Sequence, residues 1–477
     1  MNVRHKAFFI VRQPNPLNLA IVPRSPPSVA ESFFIQMALR ARMVEGLSLP
    51  TGSLARLRSS LRTSLFRNSF FLLLSSAFGS GLGFLFWLAV AQSYPAADVG
   101  RAATVFGVVL FLAGAGSLGL PYGIIRFLPS EADKASLVKA ALVASGVASG
   151  ILGLLFLMGL SLWSPPLAFL QSDPALAAAC VLSVVGFALG IVLDATFVAS
   201  RRAGFGTIRT VTFGATRLPI PLLLAGSFGI LGVFLAWSAA LFVSLIVGAF
   251  VLLPRVATGY RALPSAEAPR AKGIFRYSLW NHATAITAAI PLSLLPLVIL
   301  NSPEPAGGAE ASAFFFAAAA IGGLIYVVPY AFTTSLFVEG SHPEASFARD
   351  TRHAIGFSVA FLVTGVLVAI ALGRWILRFF GPAYSGAGYE SLVILALASP
   401  LVLANNVFMT RLRVSKRVRP LFVIVAATSA ASIVLAYAFL PMWGIAGAAA
   451  AFGLGQAFTA PLFALETKWN GSKGTTS

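Results

Sequence analysis

The stretch from Phe66 to Pro129 reads FRNSFFLLLSSAFGSGLGFLFWLAVAQS, then YPAADVGR, then AATVFGVVLFLAGAGSLGLPYGIIRFLP. Two apolar runs flank a short turn carrying Pro95, Asp98 and Gly100. Each run is long enough to cross a bilayer, which takes roughly 20 apolar residues because a helix satisfies its own backbone in lipid. The stretch predicts a membrane hairpin. Its opening and closing phrases return later in the chain. Leu65-Phe66-Arg67-Asn68-Ser69-Phe70 is echoed by Ile274-Phe275-Arg276-Tyr277-Ser278-Leu279, and Leu120-Pro121-Tyr122-Gly123 by Val328-Pro329-Tyr330-Ala331. The offsets, 209 residues from Arg67 to Arg276 and 208 from Pro121 to Pro329, agree to within one residue. Two echoes at one offset predict a chain of two similar halves, a transporter plan with the substrate site between the repeats.

Composition supports this reading. Of 477 residues, 58% are hydrophobic and 10% charged, with a mean hydropathy of +0.87. Soluble domains carry about 25% charged residues, so this is an integral membrane protein. A net charge of +19 would point to nucleic acid in a soluble chain. Here the basic residues fall between apolar runs, as the positive-inside rule describes, and no nucleic-acid partner is expected. The one cysteine, Cys180, excludes an internal disulfide. No pair among His5, His282, His342 and His353 has a metal-ligand spacing, and neither metal nor cofactor is expected.

The expected architecture is all-α, with about 12 transmembrane helices in two pseudo-symmetric six-helix lobes around a central cavity. Residues 1–53 form a poorly ordered tail without a signal-peptide core, and Met37 or Met43 are alternative initiators. Residues 54–66 read as a basic amphipathic helix, with Leu54, Leu57, Leu61 and Leu65 opposite Arg56, Arg58 and Arg62, suited to anionic membrane lipids. Residues 67–253 make the N-terminal lobe, 254–275 a linker, 276–465 the C-terminal lobe and 466–477 a tail. After the hairpin, spans are expected near 137–162, 175–199, 207–225, 228–253, 277–300, 311–338, 354–372, 390–412, 419–440 and 443–465. Gly226-Ser227 and Pro441 are weak separators of the fifth from the sixth and the eleventh from the twelfth.

Basic residues set the expected orientation. Arg201, Arg202, Arg255, Arg261, Arg270, Lys272 and the cluster Arg411, Arg413, Lys416, Arg417, Arg419 share one side with the N-terminal tail. The connections WSPPLAFLQSDP (163–174) and NSPEPAGGAE (301–310) on the other side hold neither Lys nor Arg. Both termini are expected in the cytoplasm.

Charges within spans are few, and each is informative. A charged side chain at a helix centre costs roughly 2.5–3.5 kcal/mol on insertion scales and faces a partner or a cavity. Arg217 is the deepest cation, Arg126 closes the second span, Arg209 opens the fifth, and Arg67 and Arg276 open the two half-repeats. Asp194 is the one deep carboxylate, placed to pair with either Arg217 or Arg209. The basic set reads as a vestibule for an anionic headgroup, with Arg126 and Arg217 as the main phosphate ligands and Arg67, Arg209 and Arg276 at its mouth. Terminal cations that snorkel to the interface are the simpler account of the same residues. Prolines inside spans, Pro121 and Pro329 among them, predict helices that bend during a gating motion. His282 reads as a satisfied polar residue between helices.

The hairpin, with YPAADVGR between its spans and GSLGLPYGIIRFLP closing the second, resembles the Wzx-type polysaccharide-export flippases. FFGPAYSGAGYESLVILALASP (379–400) is similar to the same family's second-half phrase. That superfamily also contains the multidrug and toxic-compound extrusion transporters and the lipid II flippase. The resemblance covers roughly Leu65 to Leu465. It implies a two-lobed bundle alternating between inward- and outward-facing states in the bacterial inner membrane. The implied cargo is an undecaprenyl-pyrophosphate-linked oligosaccharide, and the implied partners are a polysaccharide polymerase and glycosyltransferases. Family members often carry an acidic residue in the seventh span, and NHATAITAAIPLSLLPLVIL (281–300) has none.

Two other classes compete with this reading. A drug/cation antiporter of the extrusion branch needs cavity carboxylates, and Asp194 stands alone against several arginines. A membrane-embedded polymerase, ligase or acyltransferase needs an outward acid/base or nucleophilic constellation. The outward loops offer Asp98, Asp173, Glu304, Glu310 and Glu390 with no nearby His, so no enzymatic activity is expected. No nucleotide-binding motif is present.

Overall fold

The computed structural model describes residues 64–257, 271–305, 307–340, 347–415 and 417–463. The expected tail 1–53, most of the amphipathic helix 54–66, the middle of the linker 254–275 and the tail 466–477 lie outside the described residues. From Asn68 onward the chain forms one compact unit, helical throughout among the described residues.

The hairpin is α1 (Ser64–Ser93) and α2 (Ala96–Gly116), followed after a break by α3 (Leu120–Phe127). Then come α4 (Lys134–Met158), α5 (Pro174–Ala199), α6 (Ala203–Arg217), α7 (Ile220–Phe228) and α8 (Ile230–Ile246). The second half contains α9 (Ala271–Leu300), α10 (Ala309–Gly340), α11 (Phe347–Arg378), α12 (Pro382–Leu397), α13 (Ser399–Val414) and α14 (Val418–Ala457). Caps begin the helices where the sequence supplies them. The Asp133 carboxylate accepts from the Ser136 N–H at 3.0 Å. Asp173 accepts from Ala175 N–H at 2.8 Å, with Pro174 at the first helical position, where its missing N–H costs nothing.

Ten segments among the described residues are long and apolar enough to cross a membrane. The last, Val418–Phe463, folds back at Trp443–Gly444 and so counts twice. Ala203–Phe228, interrupted at Leu218-Pro219, supplies one more. The expected twelve is recovered in this way.

Two separators fall elsewhere than expected. The fifth helix turns into the sixth at Gly229 (φ 47°, ψ −139°), and the eleventh into the twelfth at Gly444 (φ 55°, ψ −144°). Gly226-Ser227 and Pro441 are not the turning points. Only glycine adopts this backbone region without strain, and both turns read Gly-Ile-X-Gly: Gly229-Ile230-Leu231-Gly232 and Gly444-Ile445-Ala446-Gly447. The shared phrase marks equivalent corners of the two halves.

The halves meet along α2, α9 and α10. Their contacts concentrate at the end opposite the Arg-rich connections. Thr104 and Ser312, 208 residues apart, bring their hydroxyls to 2.8 Å, and Ser312 also donates to the Pro296 carbonyl at 3.1 Å. A side chain at Gly100 would collide with the Ala309 carbonyl, so α2 and α10 touch backbone to backbone there. Ser164 donates to Asn301 Oδ1 at 2.9 Å, Asn301 Nδ2 to the Trp163 carbonyl, and Gln92 Nε2 to the Phe379 carbonyl at 2.9 Å. Trp87 packs edge-on against Phe316, with ring centroids 4.7 Å apart. Nearer the basic end, His282 Nε2 donates to the Ala115 carbonyl, holding α9 against the last turn of α2.

The two proline phrases differ in backbone. Ahead of Pro121, Leu118 (φ 53°) and Gly119 (φ 70°) are left-handed and part α2 from α3. Pro329 lies within α10, which runs through it.

Candidate functional site

Helix α1 builds the first wall. Ser75, Gly79, Gly83 and Trp87 recur every four residues and therefore share one face. Small residues at this spacing let helices approach closely in a membrane. The face receives α6: Ser75 Oγ and Thr210 Oγ1 lie 3.0 Å apart, and Thr207 donates to the Phe71 carbonyl at 2.8 Å. A side chain at Gly214 would strike Leu82, and one at Gly83 would come within 3.2 Å of the Arg217 guanidinium. The missing side chains leave a cavity of about 230 Å³ lined by α1, α6, Trp87 and Phe106.

Arg217 ends α6 at this cavity and is 4% exposed. Its guanidinium lies over the Phe213 ring at 4.5 Å and over Phe86 at 4.7 Å. These contacts are attractive, roughly 0.5–2 kcal/mol each, but they do not satisfy N–H donors. The Nε is buried with no hydrogen-bond partner. No carboxylate pairs with Arg217 among the described residues. A buried charge is normally paired, and breaking such a pair by removing one partner costs roughly 3–5 kcal/mol. The guanidinium thus lines the cavity with its Nε unanswered.

Asp194 pairs with Arg209. Arg209 Nε donates to Oδ1 at 2.8 Å, and its terminal nitrogen donates to Oδ2. The fork is bidentate, the geometry that best matches a carboxylate. Gly190 of α5 and Gly248 beyond α8 make room for it, since side chains there would meet Arg209 at 2.9 and 3.3 Å. The pairing has a simple geometry once the turn is known: Asp194 and Arg209 each stand seven residues from Arg201-Arg202. In an antiparallel helix pair, residues equidistant from the turn face one another. The Asp194 and Arg209 side chains are 37% and 12% exposed. Asp194→Asn should therefore destabilise the protein by more than the roughly 1 kcal/mol of a surface pair and less than the roughly 5 kcal/mol of a fully buried one. Adding Arg209→Gln should recover most of that loss in a thermal-unfolding assay; an additive double variant would mean the two charges are uncoupled.

Of the other expected ligands whose side chains are described, neither Arg209 nor Arg126 lines this cavity. Arg126 is exposed in the last turn of α3, its guanidinium 5.7 Å from the centre of the Phe127 ring, and it does not line the Arg217 cavity. Arg67 and Arg276 lie on α1 and α9 outside the residues whose side chains are described. The site missed at the sequence level is the Ser75-Gly79-Gly83 face, which forms the cavity wall opposite the guanidinium.

No family model matches the chain, and no curated protein matches it. Solved structures do. An inward-facing multidrug resistance MATE family transporter of the MOP superfamily superposes with a TM-score of 0.64 at 16% identity, over 85% of this chain and 99% of that one. The lipid II flippase MurJ, in an inward closed conformation, gives 0.66 at 13% identity, over 84% and 87%. An outward-facing MATE family transporter gives 0.62 at 16% identity, over 87% and 96%. At these identities the shared property is the fold alone.

Proposed function

We propose that the protein is a flippase of Wzx type, moving an undecaprenyl-pyrophosphate-linked oligosaccharide from the inner to the outer leaflet by alternating access. Arg217 carries the proposal: a buried guanidinium facing a cavity, with no carboxylate among the described residues to answer it. The pyrophosphate offers several anionic oxygens, and arginine recognises such groups with directed, charge-assisted bonds. In this reading Arg126, Arg67 and Arg276 meet the headgroup at the cytoplasmic end, Arg217 holds it at mid-depth, and the lipid tail stays in the bilayer. Pro121 and Pro329 then serve the bending of the second and eighth helices. The setting is the bacterial inner membrane with both termini inside, alongside the glycosyltransferases that make the cargo and the polymerase that extends it.

The fold likeness to MATE transporters supports drug/cation antiport equally at the level of architecture. Electrostatics separate the two: the deep carboxylate is already engaged by Arg209 and the cavity presents a cation. The test is lipid analysis of a strain lacking the protein. Undecaprenyl-linked oligosaccharide should accumulate on the cytoplasmic leaflet and clear on complementation with the intact gene. Unchanged lipids with new sensitivity to cationic drugs would establish the antiporter instead.

A further inference from the structure

We infer that the outer wall of the first half carries a binding site for a phospholipid with an anionic headgroup. Helices α4 and α8 both pack on α5, and a trough of about 560 Å³ runs between them over the last third of α5. Its floor is Leu189 and Leu193, and its walls include Val143, Val147, Phe242 and Phe250. Val143, Val147 and Phe250 are about 60% exposed, so this is a surface turned to lipid rather than to the protein interior. The trough follows the helix axes, the direction in which an acyl chain lies in a bilayer.

Two features distinguish it from an ordinary lipid-facing surface. Lys139, five residues into α4, stands at the end of the trough on the side of the basic connections, about 7 Å along the helix from its start. Arg255 closes the sixth helix at the same end. A cation at that depth meets a lipid phosphate while the trough takes the chain below it. The second feature is the widening of the sixth helix into a π-helix over Val247–Leu252, which supplies Ala249 and Phe250 to the trough wall. Such irregular turns gather at functional sites. The inference stands apart from the transport reading, because neither the Arg217 cavity nor the pyrophosphate enters it.

Native mass spectrometry of the purified full chain tests this inference, with phosphatidylglycerol and phosphatidylcholine of the same acyl chains added in equal amount. The intact protein should retain one phosphatidylglycerol in preference to phosphatidylcholine. Lys139→Gln should lower that preference about fivefold, equivalent to about 1 kcal/mol for one cation near a headgroup, and Lys139→Arg should restore it. Ala249→Phe, which fills the trough, should remove the retained lipid with either headgroup. Equal retention of the two lipids by the intact protein overturns the site, as does a preference that survives either Lys139→Gln or Ala249→Phe.

Discussion

On the proposed function, replacing Arg217 with methionine should abolish translocation and leave the protein as stable as before, or more so. A structural arginine would behave in the opposite way. Methionine keeps the volume and the apolar contacts with Phe86 and Phe213 while removing a guanidinium whose Nε has no partner. What is lost in the empty protein is the cation–π attraction; what is relieved is the desolvation of an unpaired charge. These terms oppose one another, so the melting temperature moves little. In the loaded state only loss remains. Truncating one partner of a buried charge pair costs about 2–5 kcal/mol, which weakens headgroup binding by about thirtyfold to a few thousandfold. The paired measurement is thermal unfolding together with leaflet-resolved assay of the lipid-linked oligosaccharide. A variant that transports normally removes Arg217 from the mechanism. One that unfolds readily makes it a packing residue.

The second large effect concerns the contact between the halves. With cysteines in place of Thr104 and Ser312, oxidation should tie α2 to α10 and reduce transport to background, and reduction should restore it. The two hydroxyl oxygens are 2.8 Å apart, so sulfurs at those positions need little movement to reach the roughly 2.0 Å of a disulfide. Cys180 is buried and distant in sequence, and it is the one native thiol, so the new bond is unambiguous. Either cysteine alone should be active under the same oxidant. Alternating access requires this end to part during each cycle; a cross-linked protein that still transports would show that it does not.

Much of this arrangement was legible in the chain. The length of the apolar runs gave the helices, and the offset of 208–209 residues between the echoed phrases is the separation of Thr104 from Ser312 and of Gly100 from Ala309. The depth of Arg217 and of Asp194 followed from counting into their spans. Which arginine Asp194 takes did not, because that depends on the Arg201-Arg202 turn (Arg201 at φ 57°) that sets the facing of α5 and α6. Arg126 lies away from the Arg217 cavity for a related reason. Sequence reports the depth of a charge and not its azimuth, and Arg126 lies on the short α3, beyond a left-handed break at Leu118–Gly119. The corners at Gly229 and Gly444 were hidden by their small size, since one glycine in the right backbone region replaces the polar loop that normally marks a helix end.

The Thr104–Ser312 bond also has a genealogical meaning. In a chain of two like halves, a residue that touches its own counterpart sits on the axis relating them. If each half were once a separate six-helix chain, that contact would have been a residue meeting itself across a symmetric dimer, where any side chain must complement its own image. Carboxylates and guanidinium groups fail that requirement by repulsion. A hydroxyl meets it, because it donates and accepts at once. Serine and threonine are therefore the form in which a self-paired polar contact survives the fusion of two subunits into one chain.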